Sequence, residues 1–204
     1  MNAPLLQPPT KPQPYRMDVR ALDVLIEAGC LQGRIDLLDG ELHEMPPQGT
    51  PHRLAVTYTL VLLQRGWALP KFISVQATHR FGPSDAPEPD LCLLDQPPVP
   101  GAKQDALPRL VVEVSESTLR EDLDRKRLSY ARYGVPEYWV LDLRHRRLHV
   151  FREPDSEAAD AVDAWGFVQL ANETESISPL CSPTISLKVS EMIDGPPAAT
   201  SDPA

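Results

Sequence analysis

Apolar positions along the chain follow two rhythms, one helical and one strand-like, and their order predicts the elements. From Met17 to Ala28, Val19, Leu22, Leu25 and Ile26 recur at helical spacing, with Gly29 placed to stop the helix. RIDLLDGELHEM reads as two short strands around Asp39-Gly40, a favoured hairpin dipeptide. From Pro51 to Gly66, Leu54, Val56, Leu60, Val61 and Leu63 predict a second, largely buried helix. FISVQATHRF, PDLCLLD, RLVVEVS and, after an intervening helix, EYWVLDL then read as strands. LVVEV is apolar on both faces apart from one Glu, the pattern of a central strand covered on both sides. RLHVFR pairs back onto EYWVLDL through a basic turn, and WGFVQL and TISLKV are further strand-like pieces among acidic loops.

Prolines make the loop QPPVPGAKQDALPR irregular, and no internal repeat is visible. The order helix, hairpin, helix, strands, helix, strand predicts an α/β fold with a mixed central β-sheet flanked by helices. A single domain is expected over residues 17–194, between a disordered Pro- and Gln-rich arm at 1–16 and a disordered Pro/Ala tail at 195–204.

At 204 residues, 42% hydrophobic and 24% charged, the chain can bury one core. No apolar run approaches the roughly 20 residues of a membrane helix. The N-terminus lacks the pattern of a secretory signal, so a cytoplasmic location is expected. Cys30, Cys92 and Cys181 are odd in number, far apart and without CxxC spacing, which argues against a disulfide framework or a structural zinc. Cys92 adjoins Asp90 in an apolar run, but no His-Cys arrangement makes it a nucleophile.

A net charge of -9 counts against a nucleic-acid partner until its distribution is read. From Glu153 onward stand ten acidic residues and one basic, Lys188; residues up to Arg152 hold 19 of each sign. The charge objection therefore applies to the C-terminal quarter.

Two acids interrupt apolar strands, Asp90 in EPDLCLL and Glu113 in LVVEVS, where an isolated carboxylate carries a large desolvation penalty. Compensation comes either from arginines in structural pairs or from a bound cation, and Mg²⁺ or Mn²⁺ suits oxygen ligands. On the helix after RLVVEVS, at about 100° per residue, Leu119, Leu123, Lys126, Tyr130 and Tyr133 share one stripe, which puts Lys126 in the buried row unless it snorkels to water. Asp122, on the flank of the stripe, can pair with Lys126 or form a plain surface salt bridge. Arg120, Arg125 and Arg127 lie off its centre line, as solvated residues do.

The runs PEPDLCLL and RLVVEVSESTLREDLDRKRLSYARYGVPEYWVLDL, with RIDLLDGELHEMPPQGTPHR, VQATHRFG and SPTISLKVSEMI, resemble the putative restriction endonuclease family of bacteria, also called the Uma-two family, within the PD-(D/E)XK nuclease superfamily. The resemblance spans roughly Tyr15 to Ile193. It makes Asp90 the motif aspartate, Glu113 the motif glutamate and Lys126 the motif lysine, moved from the strand to the next helix. Ser115 stands where the simple superfamily pattern has its lysine. Asp122, Gln76 and His52 also match family positions. His52 either faces the metal or caps and packs its helix; Glu41 reads as a turn or surface residue, and Tyr130, Tyr133 and Trp139 as core.

The activity so implied is Mg²⁺-assisted (or Mn²⁺-assisted) hydrolysis of DNA phosphodiester bonds. Asp90, Glu113 and the Val114 backbone carbonyl would hold the metal, and Lys126 would orient a water or stabilise the phosphate. Arg120, Arg125, Arg127, Arg132 and Arg144 to Arg147 would contact flanking phosphates, or form a solvated basic face. A second reading is a catalytically silent nuclease-fold nucleic-acid-binding or regulatory module. A third is an oligomeric scaffold with EYWVLDL exposed at a sheet edge, and a homodimer is a separate candidate assembly. No zinc finger or helix-turn-helix signature indicates a separate DNA-reading domain.

Overall fold

The computed structural model describes residues 15–65, 72–102, 104–158 and 160–197. Most of the expected arm and tail, and Gly66, lie outside the described residues.

Helix α1 (Val19–Glu27) starts where Asp18 caps the Ala21 amide at 2.8 Å, and it buries Val19 and Leu22. Strands β1 (Ile35–Leu38) and β2 (Glu41–Glu44) form the expected hairpin. Asp39 and Gly40 between them take positive φ, 49° and 75°, as a two-residue mirror-image turn requires. A side chain at Gly40 would meet Arg16 Cβ at 2.8 Å, so the turn admits only glycine. Leu37 bridges to Ala86, and with Val19 and Leu22 makes a small satellite core.

Helix α2 (Thr50–Gln64) leads into a six-stranded sheet ordered β3-β4-β5-β6-β7-β8. Its strands are β3 (Phe72–Val75), β4 (Leu91–Leu94), β5 (Leu110–Ser115), β6 (Glu137–Asp142), β7 (Arg147–Pro154) and β8 (Trp165–Asn172). Only β5 and β6 run parallel, because a helical crossover joins them; the other neighbours are antiparallel. The crossover consists of α3 (Leu119–Glu121), a π-helical stretch (Asp122–Lys126) and α4 (Arg127–Arg132). Small strands β9 (Ser176–Ile177) and β10 (Leu187–Lys188) pair with each other, and α5 (Val189–Asp194) ends the fold.

Alternation on the strands sorts two cores. Leu110, Val112 and Val114 of β5 face α2 and α5, while Val111 packs with Tyr130 and Ala131 of α4. Glu113 alternates with them and so lies on the α4 face.

Four expectations change. EYWVLDL is no edge: β6 sits between β5 and β7 with all six residues buried, so it offers no exposed edge for a scaffold. The FISVQATHRF strand stops at Val75 because Gln76 takes a left-handed φ of 46°. TISLKV pairs only through Leu187 and Lys188, and the following VSEMID is helical because its Val189 and Met192, at helical spacing, bury against the sheet. Asp122 is buried rather than on a flank: it opens the π-helical stretch, its carboxylate accepts from the Thr118 hydroxyl at 2.8 Å, and it lies 3.8 Å from Lys126. The Tyr138 hydroxyl donates to the Asp122 carbonyl at 3.0 Å.

Candidate active site

Asp90 precedes β4, Glu113 and Val114 end β5, His52 opens α2, and Asp122 and Lys126 bracket the π-helical stretch; together they line one small cavity of about 30 Å³. That volume admits a water or a single ion, not a nucleotide.

Asp90 is fully engaged. His52 Nε2 lies 3.1 Å from Oδ2, and the Val114 amide donates to the same oxygen at 2.8 Å. Gln48 and Gln76 donate to Oδ1 at 3.3 and 3.2 Å, and Gln76 also donates to Gln48 Oε1 at 2.8 Å. The left-handed turn that ends β3 is what aims the Gln76 amide here. His52 therefore contacts Asp90 and does not cap its helix, whose N-cap is Gly49. Arg34 stands 3.9 Å from Asp90 and 3.3 Å from Glu88.

Lys126 is 1% exposed and sits among three acids, 2.9 Å from Asp36, 3.0 Å from Glu113 and 3.8 Å from Asp122. It does not snorkel. Tyr130 donates to Glu113 Oε1 at 2.8 Å, so both donors to Glu113 use that oxygen, and Oε2 has no hydrogen bond among the described residues. Asp36 and Gln48 were not singled out by the sequence. Asp36 in RIDLL is an acid within an apolar strand, the same signal that marked Asp90 and Glu113; nothing in the sequence marks Gln48.

The two motif acids differ in state. Burial disfavours the Asp90 anion, yet His52, the Val114 amide and Gln76 outweigh it and hold its pKa below the ordinary value. Glu113 is pushed up to about 8, first by burial and then by Asp122, Asp90 and Asp36, with Lys126 only partly offsetting them. Burial likewise raises Asp122. Burial alone would lower Lys126, but Glu113, Asp36 and Asp122 raise it well above its usual value. The cavity therefore holds more carboxylate than its cations neutralise.

That surplus suits a divalent cation. Among the described residues no three His, Cys, Asp or Glu side chains are spaced to chelate an ion unaided. Mg²⁺ does not demand this, since it commonly takes one or two carboxylates and completes its shell with water. Glu113 Oε2 is available as a ligand. A residue's N–H and C=O point to the same side of a strand, so the Val114 amide contact with Asp90 turns the Val114 carbonyl the same way, beyond the last β4–β5 pair, Leu91 with Val112. An all-oxygen donor set of this kind matches Mg²⁺ or Mn²⁺.

The other candidate residues are spread out. Arg120 is solvent-exposed and 3.6 Å from Asp124. Arg125 is engaged at 2.7 Å by Glu41, a surface residue as expected, with Glu121 at 3.8 Å and His43 at 2.8 Å. Arg127 is half-buried over the Phe151 ring, 5.1 Å from its centroid. Arg146 is held by Glu173 and Asp194, Arg147 by Asp142 at 3.1 Å, and Arg132 and Arg144 are exposed. Trp139 and Tyr130 are core, and Tyr133 is half-buried, donating to Asp85 at 3.0 Å. Burial pushes the Cys92 thiol well up, the opposite of an activated nucleophile. A larger cavity, about 960 Å³ between α1 and the loop before β5, contains none of the site residues. Its Arg80 is committed to Asp23 at 2.8 Å, so chemistry rather than size locates the site.

The fold is similar to that of a solved structure, a putative nuclease belonging to DUF820 from Anabaena variabilis ATCC 29413, with a TM-score of 0.60 and 14% identity over 84% of this chain and 97% of that one. No functionally curated protein matches the chain. No helix among the described residues is long and apolar enough to cross a membrane. The Uma2 family, described as putative restriction endonuclease, matches residues 30–190, a span that includes every residue of the cavity, and the chain belongs to that family.

Proposed function

We propose that the protein is a metal-dependent DNA endonuclease that hydrolyses phosphodiester bonds at the Asp90–Glu113–Lys126 cavity. The observation that carries this reading is the surplus of buried carboxylate around a single lysine, with Glu113 Oε2 unengaged. Asp90, Glu113 and the Val114 carbonyl would hold Mg²⁺ or Mn²⁺. When bound, such an ion supplies Lewis-acid polarisation of a phosphate and lowers the pKa of a water. His52, Gln48 and Gln76 fix the Asp90 carboxylate, and Tyr130 and Lys126 fix Glu113 through Oε1, so that Oε2 would be available to hold the ion. Lys126 keeps its charge through its three acids and provides a preorganised positive group for the pentacoordinate phosphate. Because the interior admits only water-sized species, the phosphodiester is presented from the rim, where Glu116, Ser117 and Thr118 line the opening.

A second reading, a catalytically silent nuclease-fold module that binds nucleic acid or regulates, is favoured by the full engagement of Asp90 by four donors. Nicking of supercoiled plasmid separates the two. The endonuclease reading expects Mg²⁺-dependent nicking by wild type, abolished by EDTA and by Asp90→Ala and Glu113→Ala. Variants that nick as well as wild type would remove the site assignment, and an inactive wild type that still binds DNA would favour the silent module.

A further inference from the structure

The α4 face of the sheet carries a second charged group, of opposite sign to the first. In the sheet register Glu113 pairs with Val140 and Val140 with His149, while Ser115 pairs with Asp142 and Asp142 with Arg147. Side chains in one such row share a face, and at about 4.8 Å per strand His149 lies roughly 10 Å across the sheet from Glu113. On this row Asp142 is buried and accepts from Arg147 Nε at 3.1 Å, with His145 Nδ1 at 2.7 Å and His149 Nε2 at 4.0 Å. Arg127 reaches the same place from α4: its guanidinium lies over Phe151, against which the His149 ring also stacks at 6.3 Å.

Arg147, His145 and His149 thus surround one carboxylate, and Arg127 adds a second guanidinium over the neighbouring Phe151, in a chain whose net charge is -9. Asp124 and Asp160 act on Arg127 from further off, and it forms no ion pair among the described residues. Two nitrogens in the group, Arg127 Nε and His149 Nε2, are buried with no hydrogen-bond partner among the described residues. Buried polar atoms are nearly always satisfied, and a tetrahedral oxyanion can accept from several donors at once. Arg146, on the same turn, is different: Glu173 and Asp194 from the acidic C-terminal region already neutralise it.

We propose that Arg127, Arg147 and His149 form a phosphate-binding site for the nucleic-acid backbone, holding a phosphate that flanks the bond presented at the cavity. This rests on the nuclease reading for the identity of the ligand, and it is tested without cleavage. Full-length protein in EDTA is titrated into a short fluorescein-labelled DNA duplex at several salt concentrations, and anisotropy gives the affinity. Arg127→Gln and Arg147→Gln are each expected to weaken binding about tenfold, the low end for a charge-assisted hydrogen bond. Each is also expected to reduce the log-log salt slope by about one. Arg127→Lys, which keeps the charge and the aliphatic stem over Phe151, recovers the slope; Arg146→Gln leaves affinity and slope as in wild type.

Wild-type affinity in Arg127→Gln and Arg147→Gln, an equal loss in Arg146→Gln, or no DNA binding by wild type overturns the assignment. The plasmid assay keeps the two readings apart. Nicking by wild type with unaltered binding by the arginine variants rejects this site alone. The expected binding pattern without nicking rejects the endonuclease alone.

Discussion

Glu113 and Glu137 stand on adjacent parallel strands, both buried, and they have opposite surroundings. At the start of β6, Glu137 is matched by its partners: Arg152 at 2.7 and 2.8 Å, Trp139 Nε1 at 2.9 Å and the Leu180 amide at 2.7 Å. At the far end of β5, Glu113 shares one lysine with Asp36 and Asp122. Burial raises both pKa values, and Glu113 reaches about 8. A buried acid with a dedicated arginine and neutral donors on both oxygens is a structural tie. A buried acid with a surplus of like charge and a free oxygen is what the proposed cation site requires.

The contrast can be broken most strongly at Lys126. Measured above pH 8, where Glu113 is ionised, Lys126→Ala leaves three buried carboxylates without their cation and is expected to cost about 3–5 kcal/mol in chemical denaturation. A change under about 1 kcal/mol would mean that the acids are neutral in the folded state. Glu137→Gln should cost about 2–3 kcal/mol by weakening charge-assisted bonds, with plasmid nicking retained in the folded fraction. Glu113→Gln should do the reverse, removing nicking while sparing stability.

The pH dependence sharpens the same comparison. Because the folded pKa of Glu113 lies above its ordinary 4.5, the folded state binds the extra proton between pH 4.5 and about 8. Its contribution is fully present below pH 4.5 and is lost as pH rises through about 8. Metal-free wild type should therefore lose stability relative to Glu113→Gln across that window, by up to about 1.4 kcal/mol per pH unit. Mg²⁺ should bind more tightly as pH rises through the same range, measured by calorimetry; flat affinity would exclude Glu113 as a ligand. The smallest effect belongs to the exposed Arg125–Glu41 pair, where Arg125→Ala should shift stability by about 0.2–1 kcal/mol.

The signal that singled out Asp90 and Glu113, an acid inside an apolar strand, marks Asp36, Glu137 and Asp142 equally well, and all five are buried. Burial alone thus does not separate a tie from a site. The partners make that separation, and they come from distant segments: Arg152 lies 15 residues from Glu137, and Lys126 reaches back to Asp36 on the hairpin. The helical stripe that placed Lys126 inside was legible because it is local. The burial of Asp122 was not, since it depends on the Tyr138 hydroxyl reaching its carbonyl from the next strand.

The sequence by itself determined the order of elements, the central burial of β5 and the inward position of Lys126, because periodicity and turn chemistry are short-range properties of the chain. It also carried the family resemblance through its motif residues. Only the tertiary structure decided that β6 is interior, that Asp36 pairs with the buried Lys126 while Gln48 lines the cavity, and that the neighbouring Arg146 and Arg147 have different partners. Those outcomes depend on strand register and on charges brought together from remote segments, and the balance of acid against cation in a buried space exists only once the chain is folded.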